Sequence, residues 1–93
     1  MISQVYYLVR SKVDGKYLAA HPNPDLPERY LLVFQENFDA RSYLNKYGGD
    51  MKEKLTIESI TPIQLKSIIE RWSFSGVGVV KDPLLPNVEF LRQ

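Results

Sequence analysis

The sequence predicts an α+β fold, a two-layer sandwich of the ferredoxin-like kind with two helices and a mixed or antiparallel sheet. Short apolar segments of strand length, separated by turn residues, fill the first third of the chain. Two later segments repeat apolar residues every three or four positions, as amphipathic helices do. Each of these helices carries a single apolar stripe, which suits two helices covering one face of a sheet.

Length and composition indicate one ordinary globular domain, residues 1–93, with 44% hydrophobic and 25% charged residues. The net charge is +1, so the charge balance demands neither nucleic acid nor anionic lipid. The absence of cysteine excludes disulfides and thiolate chemistry. The apolar run in Met1 to Arg10 is too short for a signal peptide or a membrane span, so we expect a cytoplasmic protein without membrane association.

Two strands are predicted first, Val5 to Val13 and Lys16 to Ala20, joined by a tight turn at Asp14-Gly15. Asp-Gly in this context is typical of a two-residue hairpin turn with positive φ at both positions. Side-chain alternation gives the hairpin one largely apolar face, comprising Val5, Tyr7, Val9, Val13, Leu18 and Ala20. The opposite face, called the mixed hairpin face below, comprises Tyr6, Leu8, Arg10, Lys12, Tyr17 and Ala19.

A proline-rich loop, His21 to Arg29, precedes the best candidate for a central strand, Tyr30 to Gln35, which is apolar on both faces. Asn37 is the predicted N-cap of the first helix, and Gly48-Gly49 ends that helix. Its apolar stripe consists of Ala40, Tyr43, Leu44 and Tyr47. Asp50 to Glu53 is predicted to be a polar loop.

The clearest local signal is the junction between a strand, Leu55 to Ile60, and the second helix. Thr61 is the predicted N-cap, Pro62 occupies the first helical position, and Gln64 completes a capping box. The apolar stripe of this helix is expected to face the core and consists of Leu65, Ile68, Ile69 and Trp72.

The second helix is expected to end near Gly76, with that glycine as its C-cap and Gly78 marking a bulge or a close approach in the next strand. Val77 to Val80 is predicted to be that strand, and Val88 to Leu91 a short edge strand after a loop at 82–87. The predicted order is therefore β-β-β-α-β-α-β, with one further β at the end.

Three segments of the chain resemble a known family: Val5-Tyr6-Tyr7-Leu8-Val9, Tyr30 to Leu44, and Ile57-Glu58-Ser59-Ile60. They are similar to an uncharacterised small-protein family of cyanobacteria and plant plastids, in which an apolar strand ending in Phe leads into an acidic, Ala-containing helix start. The chain resembles, more distantly, the N-terminal domain of bacterial SseB-type proteins. The proline-rich loop and the Pro-Leu-Leu-Pro segment depart from the pattern. The family has no established activity, so the resemblance implies a fold and no catalytic residue.

No combination of residues points to catalysis, a cofactor or a metal. His21 is the only histidine and has no partner at a ligand spacing. Gly76-Val77-Gly78 lacks the third glycine of a dinucleotide fingerprint and leaves a helix for a strand, the reverse of that motif. Asp39 complements a helix dipole, and Glu70 pairs with Lys66 one turn away. We therefore expect a non-enzymatic protein.

The candidate functional surface is the mixed hairpin face, which we expect the helices to leave uncovered. Tyr and Arg are enriched at protein interfaces, and a half-apolar sheet face needs cover. The predicted interface consists of Tyr6, Leu8, Arg10, Lys12, Tyr17 and the loop pair Leu84 and Leu85. The predicted function is a protein-interaction or assembly module, a homodimer through the outer sheet face or an edge strand, or a module that binds another protein.

Three alternatives stay open. One is a small-molecule-sensing regulatory domain that binds between the sheet and the loop at 21–29, near Gly76 to Gly78. Another is single-stranded nucleic-acid binding on the mixed hairpin face, which the near-zero net charge and the lack of an RNP-like motif disfavour. The third is a plain exposed sheet face without a partner.

Overall fold

A computed structural model describes residues 5–85 and 87–92. The strands are β1 (Tyr6–Ser11), β2 (Ala19–Ala20), β3 (Tyr30–Phe34), β4 (Leu55–Ile60), β5 (Gly76–Asp82) and β6 (Asn87–Arg92). The helices are α1 (Asn37–Tyr47) and α2 (Pro62–Arg71), and a 3₁₀ helix spans Gly49–Lys54. What the sequence predicts for Met1 to Gln4 and Pro86 lies outside the described residues.

The predicted α+β class and the order of elements are confirmed. Two predictions about α1 and the segment after it are wrong. The polar loop expected at Asp50 to Glu53 belongs to the 3₁₀ helix. The N-cap of α1 is Glu36 rather than Asn37, and no side chain caps that end. The helix bounds are otherwise close to the predicted ones, because the glycine pair and the apolar stripe already locate the helix.

The sheet is mixed and has β3 at its centre, in the order β4-β1-β3-β5-β6. β1 runs antiparallel to β3 and β4, β5 runs parallel to β3, and β6 runs antiparallel to β5. The second strand of the hairpin enters between β1 and β3. The Leu18 N–H donates to the Val9 carbonyl at 2.9 Å, and the Leu18 carbonyl accepts from the Leu32 N–H at 3.1 Å. Every residue of β3 is buried, which confirms it as the central strand.

Side-chain alternation along β1 and β3 produces two separate cores, one on each face of the sheet. The core of the face under α2, here the α2 face, contains Leu8, Leu31, Val33, Ile60, Ile69 and Phe74. The core of the opposite face, here the α1 face, contains Val9, Leu32, Phe34, Ala40, Leu44 and Val80. The helices therefore cover opposite faces, and the ferredoxin-like placement of both on one face is wrong. A central strand that is apolar on both sides requires cover on both.

The start of α2 is as predicted. Thr61 Oγ1 accepts from the Gln64 N–H at 3.3 Å, and Gln64 Oε1 accepts from the Thr61 N–H at 3.1 Å. Pro62 is the first helical residue. These contacts satisfy donors that a helix start leaves open. The predicted inward stripe is confirmed as well, since the α2-face core includes or contacts Leu65, Ile68, Ile69 and Trp72.

The end of α2 lies well before Gly76, the predicted C-cap, and it is a Schellman motif built on serine. The Phe74 N–H donates to the Ile69 carbonyl at 2.9 Å, and the Ser73 N–H donates to the Glu70 carbonyl at 3.3 Å. Ser73 has a φ of 57°, in the left-handed region where glycine is usual. Phe74 and Ile69 pack in one core, the hydrophobic contact that accompanies this motif. Gly76 instead begins β5.

The hairpin turn is wider than the two residues predicted. The Gly15 N–H donates to the Ser11 carbonyl at 3.0 Å, and the Ser11 N–H donates to the Lys16 carbonyl at 2.8 Å. Gly15 alone of the pair has positive φ, at 74°. The Lys16 N–H donates to the Asp14 carboxylate at 3.0 Å, and this bond lowers the pKa of Asp14. Val13 consequently lies in the turn, 73% exposed, and not on the apolar face.

The two glycines of β5 lie where atoms of β3 and β6 leave little room for a side chain. A Cβ on Gly76 would overlap the Leu91 carbonyl oxygen and lie 2.9 Å from the Arg92 Cα, both main-chain atoms of β6. A Cβ on Gly78 would lie 3.0 Å from a methyl group of Leu32 and 3.1 Å from the ring of Phe90. The close approach predicted for Gly78 thus involves side chains, whereas at Gly76 it involves the backbone.

We expect Ser73→Gly to stabilise the protein by about 1 kcal/mol, because it removes the cost of a left-handed conformation at a residue with a Cβ. Urea unfolding followed by circular dichroism measures the change. Ser67→Gly, the same replacement inside α2, is the matched control and should destabilise by about 0.5 kcal/mol. Equal effects of both replacements would contradict this account of the helix end.

We expect Gly76→Ala to destabilise the protein by about 2–3 kcal/mol, because the added methyl group meets the backbone of β6 and the strands must separate. Thermal unfolding measures the loss. Gly49→Ala is the control, since Gly49 has a φ of 52° but open space around its Cβ position. A larger loss at Gly49 than at Gly76 would show that the two strands accommodate the methyl group.

Candidate functional site

The mixed hairpin face is covered by α2, contrary to the prediction. Leu8 is 1% exposed and lies in the α2-face core, so it is not accessible to a partner. Tyr6 and Tyr17 are partly buried against the same core. The prediction of an open face depended on placing both helices on the other side of the sheet.

Arg10 and Tyr17 form a stack that ties the hairpin to its neighbours. The Arg10 guanidinium lies 4.9 Å from the centre of the Tyr17 ring, and that ring meets Trp72 edge-on at 5.5 Å. Arg10 also approaches the Glu58 carboxylate at 3.7 Å and donates from Nε to the Gly15 carbonyl at 2.9 Å. These contacts give Arg10 and Tyr17 a structural role in holding the hairpin against α2 and β4.

Lys12 and the leucine pair lie apart from that stack. Lys12 is exposed, and its ammonium donates to the Glu53 carbonyl at 3.3 Å. Leu84 and Leu85 are 50% and 67% exposed on the turn after β5. The Leu84 carbonyl accepts from the hydroxyl of Tyr47 at 3.2 Å, which holds the turn against the end of α1. The structure therefore does not bring the predicted interface residues together on one surface.

An apolar groove of about 600 Å³ lies on the α2 face, between α2 and β6. One wall is the inner side of α2, formed by Pro62, Leu65, Lys66 and Ile69. The floor consists of Tyr6, Val33, Gly76, Val77 and Val79, and the far wall of Leu91 and Arg92. Val77 and Leu91 are register partners, so their side chains share this face.

The groove exists because one helix does not cover the width of the sheet. Strands lie about 4.8 Å apart, and packed helices need about 10 Å each. The α2-face core joins α2 to Leu8, Val33 and Ile60, which lie on β1, β3 and β4. The part of this face that β5 and β6 form has no helix above it among the described residues, so Leu91 is exposed there and Val77 is half-buried, whereas Val79 is buried.

The charged residues that line the groove are both basic, Lys66 on α2 and Arg92 on β6. Arg92 alternates with Leu91 along β6, so its side chain lies on the α1 face, where it forms an ion pair with Glu28. Lys66 has no ion pair within residues 5–85 and 87–92, so the predicted pairing with Glu70 is wrong. The groove therefore combines an apolar floor with one positive charge, that of Lys66, on the wall that α2 forms.

β6 is an edge strand, and within the described chain it pairs with β5 alone. Phe90 is 40% exposed on the α1 face, where it packs 5.1 Å from Tyr30, and Leu91 is 47% exposed on the α2 face. The opposite edge strand, β4, is different, because its apolar residues are packed into the two cores and its other residues are Thr56, Glu58 and Ser59. The apolar edge of the sheet is thus β6.

Sequence reasoning missed both the groove and the character of β6. Val77 and Val79 have the pattern of an ordinary core strand, and the sequence does not show which strand has a helix above it. The signal that could have found the groove is a count: a sheet with five strands side by side and one helix per face leaves part of each face uncovered.

Residues 5–85 and 87–92 contain no group of three or more His, Asp or Glu side chains arranged to hold a metal ion. His21 lies in the proline-rich loop, exposed, with a ring nitrogen hydrogen-bonded to the Leu26 carbonyl. In the same ranges, neither helix has the length and apolar composition needed to cross a membrane.

We expect Tyr17→Ala to destabilise the protein by about 1–2 kcal/mol, because it removes the contacts with Arg10 and Trp72. Guanidinium unfolding measures this loss. Lys12→Ala, on the same hairpin, should change stability by less than about 0.5 kcal/mol. If Tyr17→Ala and Lys12→Ala lowered the free energy of unfolding equally, the contacts of the Tyr17 ring would not stabilise the fold, and the ring would be available to a partner.

Comparison with known proteins adds information about the fold. No protein-family model matches the chain, and no curated protein matches it, so the small-protein family and the SseB-type resemblance are not confirmed. A solved structure of similar fold is Anabaena Tic22 (protein transport), with a TM-score of 0.59 and 18% identity. The match covers 90% of this chain and 38% of that one, so the chain spans well under half of that structure. At this identity the likeness to the cyanobacterial protein shows a shared fold.

Proposed function

We propose that this chain is a non-enzymatic protein-interaction module that forms a homodimer through β6. The observation that carries the proposal is the six-residue edge strand with Phe90 and Leu91 exposed on its two faces. An exposed edge presents unpaired backbone N–H and C=O groups, and natural proteins usually protect such edges with charge, proline or a cover. No such device lies within Asn87–Arg92 beyond one acidic and one basic residue.

Two copies of β6 can pair antiparallel about a two-fold axis perpendicular to the sheet. Such an interface is isologous, and residues opposite one another lie on the same face. With Phe90 on the axis, its ring meets the Phe90 ring of the second copy. Pairing would extend the sheet across both copies and cover the apolar side chains that each edge now exposes.

The charges of β6 do not oppose this pairing. Glu89 lies 3.7 Å from Lys81 of β5, and Arg92 pairs with Glu28, so each charge already has a partner of opposite sign in its own chain. Like charges facing each other across a two-fold axis would weaken the dimer. With Phe90 on the axis, neither charged residue faces its own copy.

A small-molecule-sensing domain is the second candidate function, favoured by the groove alone. Its volume of about 600 Å³ is within the range of ligand pockets, and it includes Gly76. It is open to solvent along one side, which suits a protein partner better than a small ligand. The structural neighbour is described as a protein of protein transport, so a similar fold occurs in a protein that acts on other proteins. The cytoplasmic location stays a prediction.

We expect the protein to be a dimer by size exclusion with light scattering at high micromolar concentration. Phe90→Lys should raise the dissociation constant at least about tenfold, because two like charges would meet at the axis. Leu85→Lys is the matched control and should leave the dimer intact, and so should Tyr6→Ala on β1. A monomer at this concentration, or dissociation by the control variants, would refute pairing through β6.

A further inference from the structure

We propose that a cleft between α1 and β4 binds a free α-amino acid with a small apolar side chain, of the size of leucine. The cleft lies on the α1 face, and β4 is the edge strand opposite to β6. The proposal therefore goes beyond pairing through β6 and does not depend on it. It assigns a class of ligand to a part of the chain that such pairing would leave open.

The cleft exists because α1, like α2, does not cover the whole width of its face. Leu55 and Ile57 of β4 pack at the border of the α1-face core and are half-buried. Leu44 of α1, 6% exposed, completes an apolar floor. The volume is about 310 Å³, enough for about ten non-hydrogen atoms at about 30 Å³ each, which is the size of leucine. The floor therefore suits a small aliphatic side chain.

The charged side chains that line the cleft carry both signs. Arg41 lies on α1, one turn before Asn45, and Lys52 and Glu53 lie on the 3₁₀ helix. None of these three charges forms an ion pair within the part of the chain that the structure describes, although opposite signs line the same cleft. Two cations and a carboxylate thus surround an apolar floor without being paired to each other.

This combination selects a zwitterion. A plain anion would meet the carboxylate of Glu53, and a plain cation would meet Arg41 and Lys52, so each would leave like charges together. A free amino acid presents its carboxylate to the two cations and its ammonium to Glu53, while its side chain covers the floor. A guanidinium can hold a carboxylate by two parallel hydrogen bonds, which makes Arg41 the main contact of the ligand carboxylate. An internal segment of a protein has neither terminal charge.

Amide chemical shifts of the full chain, titrated with L-leucine at low salt, test the proposal. We expect a dissociation constant of about 1 mM, because exposed charges contribute little in water. The shifts should concentrate at Leu44, Leu55 and Ile57. N-acetyl-leucine lacks the ammonium and leucine methyl ester lacks the carboxylate, and each should bind about fivefold more weakly than leucine. These differences should shrink as salt increases.

Variants that remove one charge separate the two ends of the ligand. Arg41→Gln should weaken the binding of leucine and N-acetyl-leucine and should not weaken that of the ester, which has no carboxylate. Glu53→Gln should weaken the binding of leucine and the ester and should not weaken that of N-acetyl-leucine. Lys66→Gln, the matched control, removes a cation on α2, at the other face of the sheet, and should leave all three dissociation constants intact.

The absence of shifts in the cleft with about 20 mM leucine, about twenty times the expected constant, would overturn the proposal. Equal binding of leucine and N-acetyl-leucine would show a simple anion site and likewise overturn it. So would unchanged leucine binding in Arg41→Gln.

The two proposals fail separately. The Phe90→Lys protein should bind leucine as the unmodified chain does, because Phe90 lies on β6, at the other edge of the sheet. Leucine binding by an unmodified chain that is monomeric in light scattering would support the cleft and refute pairing through β6. A dimer that does not bind leucine would do the opposite.

Discussion

The burial of β3 on both of its sides is the constraint on which the rest of the structure depends. All five residues of this strand are buried, with Leu31 and Val33 on one face and Leu32 and Phe34 on the other. A strand of this composition cannot leave either face in water without losing about 25 cal/mol for each Å² of apolar surface. It therefore requires a strand at each edge and a helix over each face, and α1 and α2 meet the second need.

The sequence predicts those parts of the fold that local periodicity encodes. The division of the β1 hairpin into two faces is correct outside the turn, where Val13 lies, because side chains alternate along a strand. The start of α2 is correct because Thr61, Pro62 and Gln64 act within one turn. The face that each helix covers depends on how β3, β4 and β5 connect across the sheet, which no window of residues reports. Ser73 was missed for a similar reason, since serine rarely signals a left-handed residue.

The way the strands connect across the sheet also explains why the predicted interface is not an open surface. The mixed hairpin face looks unoccupied in the sequence because its tyrosines and arginine have no visible partner there. Trp72, Glu58 and Gly15 are those partners, and the fold brings them in from three separate parts of the chain. The apolar surfaces that remain open lie on β5 and β6, at the edge of the sheet opposite to β4. The proposed function uses that half of the molecule, through its edge strand.

The parallel pairing of β3 with β5 has a consequence for the chain as it is synthesised. β3 comprises residues 30–34, and its second neighbour comprises residues 76–82, with two helices and β4 between them. Until that later segment leaves the ribosome, the most apolar strand of the protein has one edge unpaired, and such edges promote association between nascent chains. The proline-rich loop before β3 and the exposed polar 3₁₀ helix after α1 flank this vulnerable segment. A chaperone that covers the unpaired edge of β3 would therefore act mainly before β5 is synthesised.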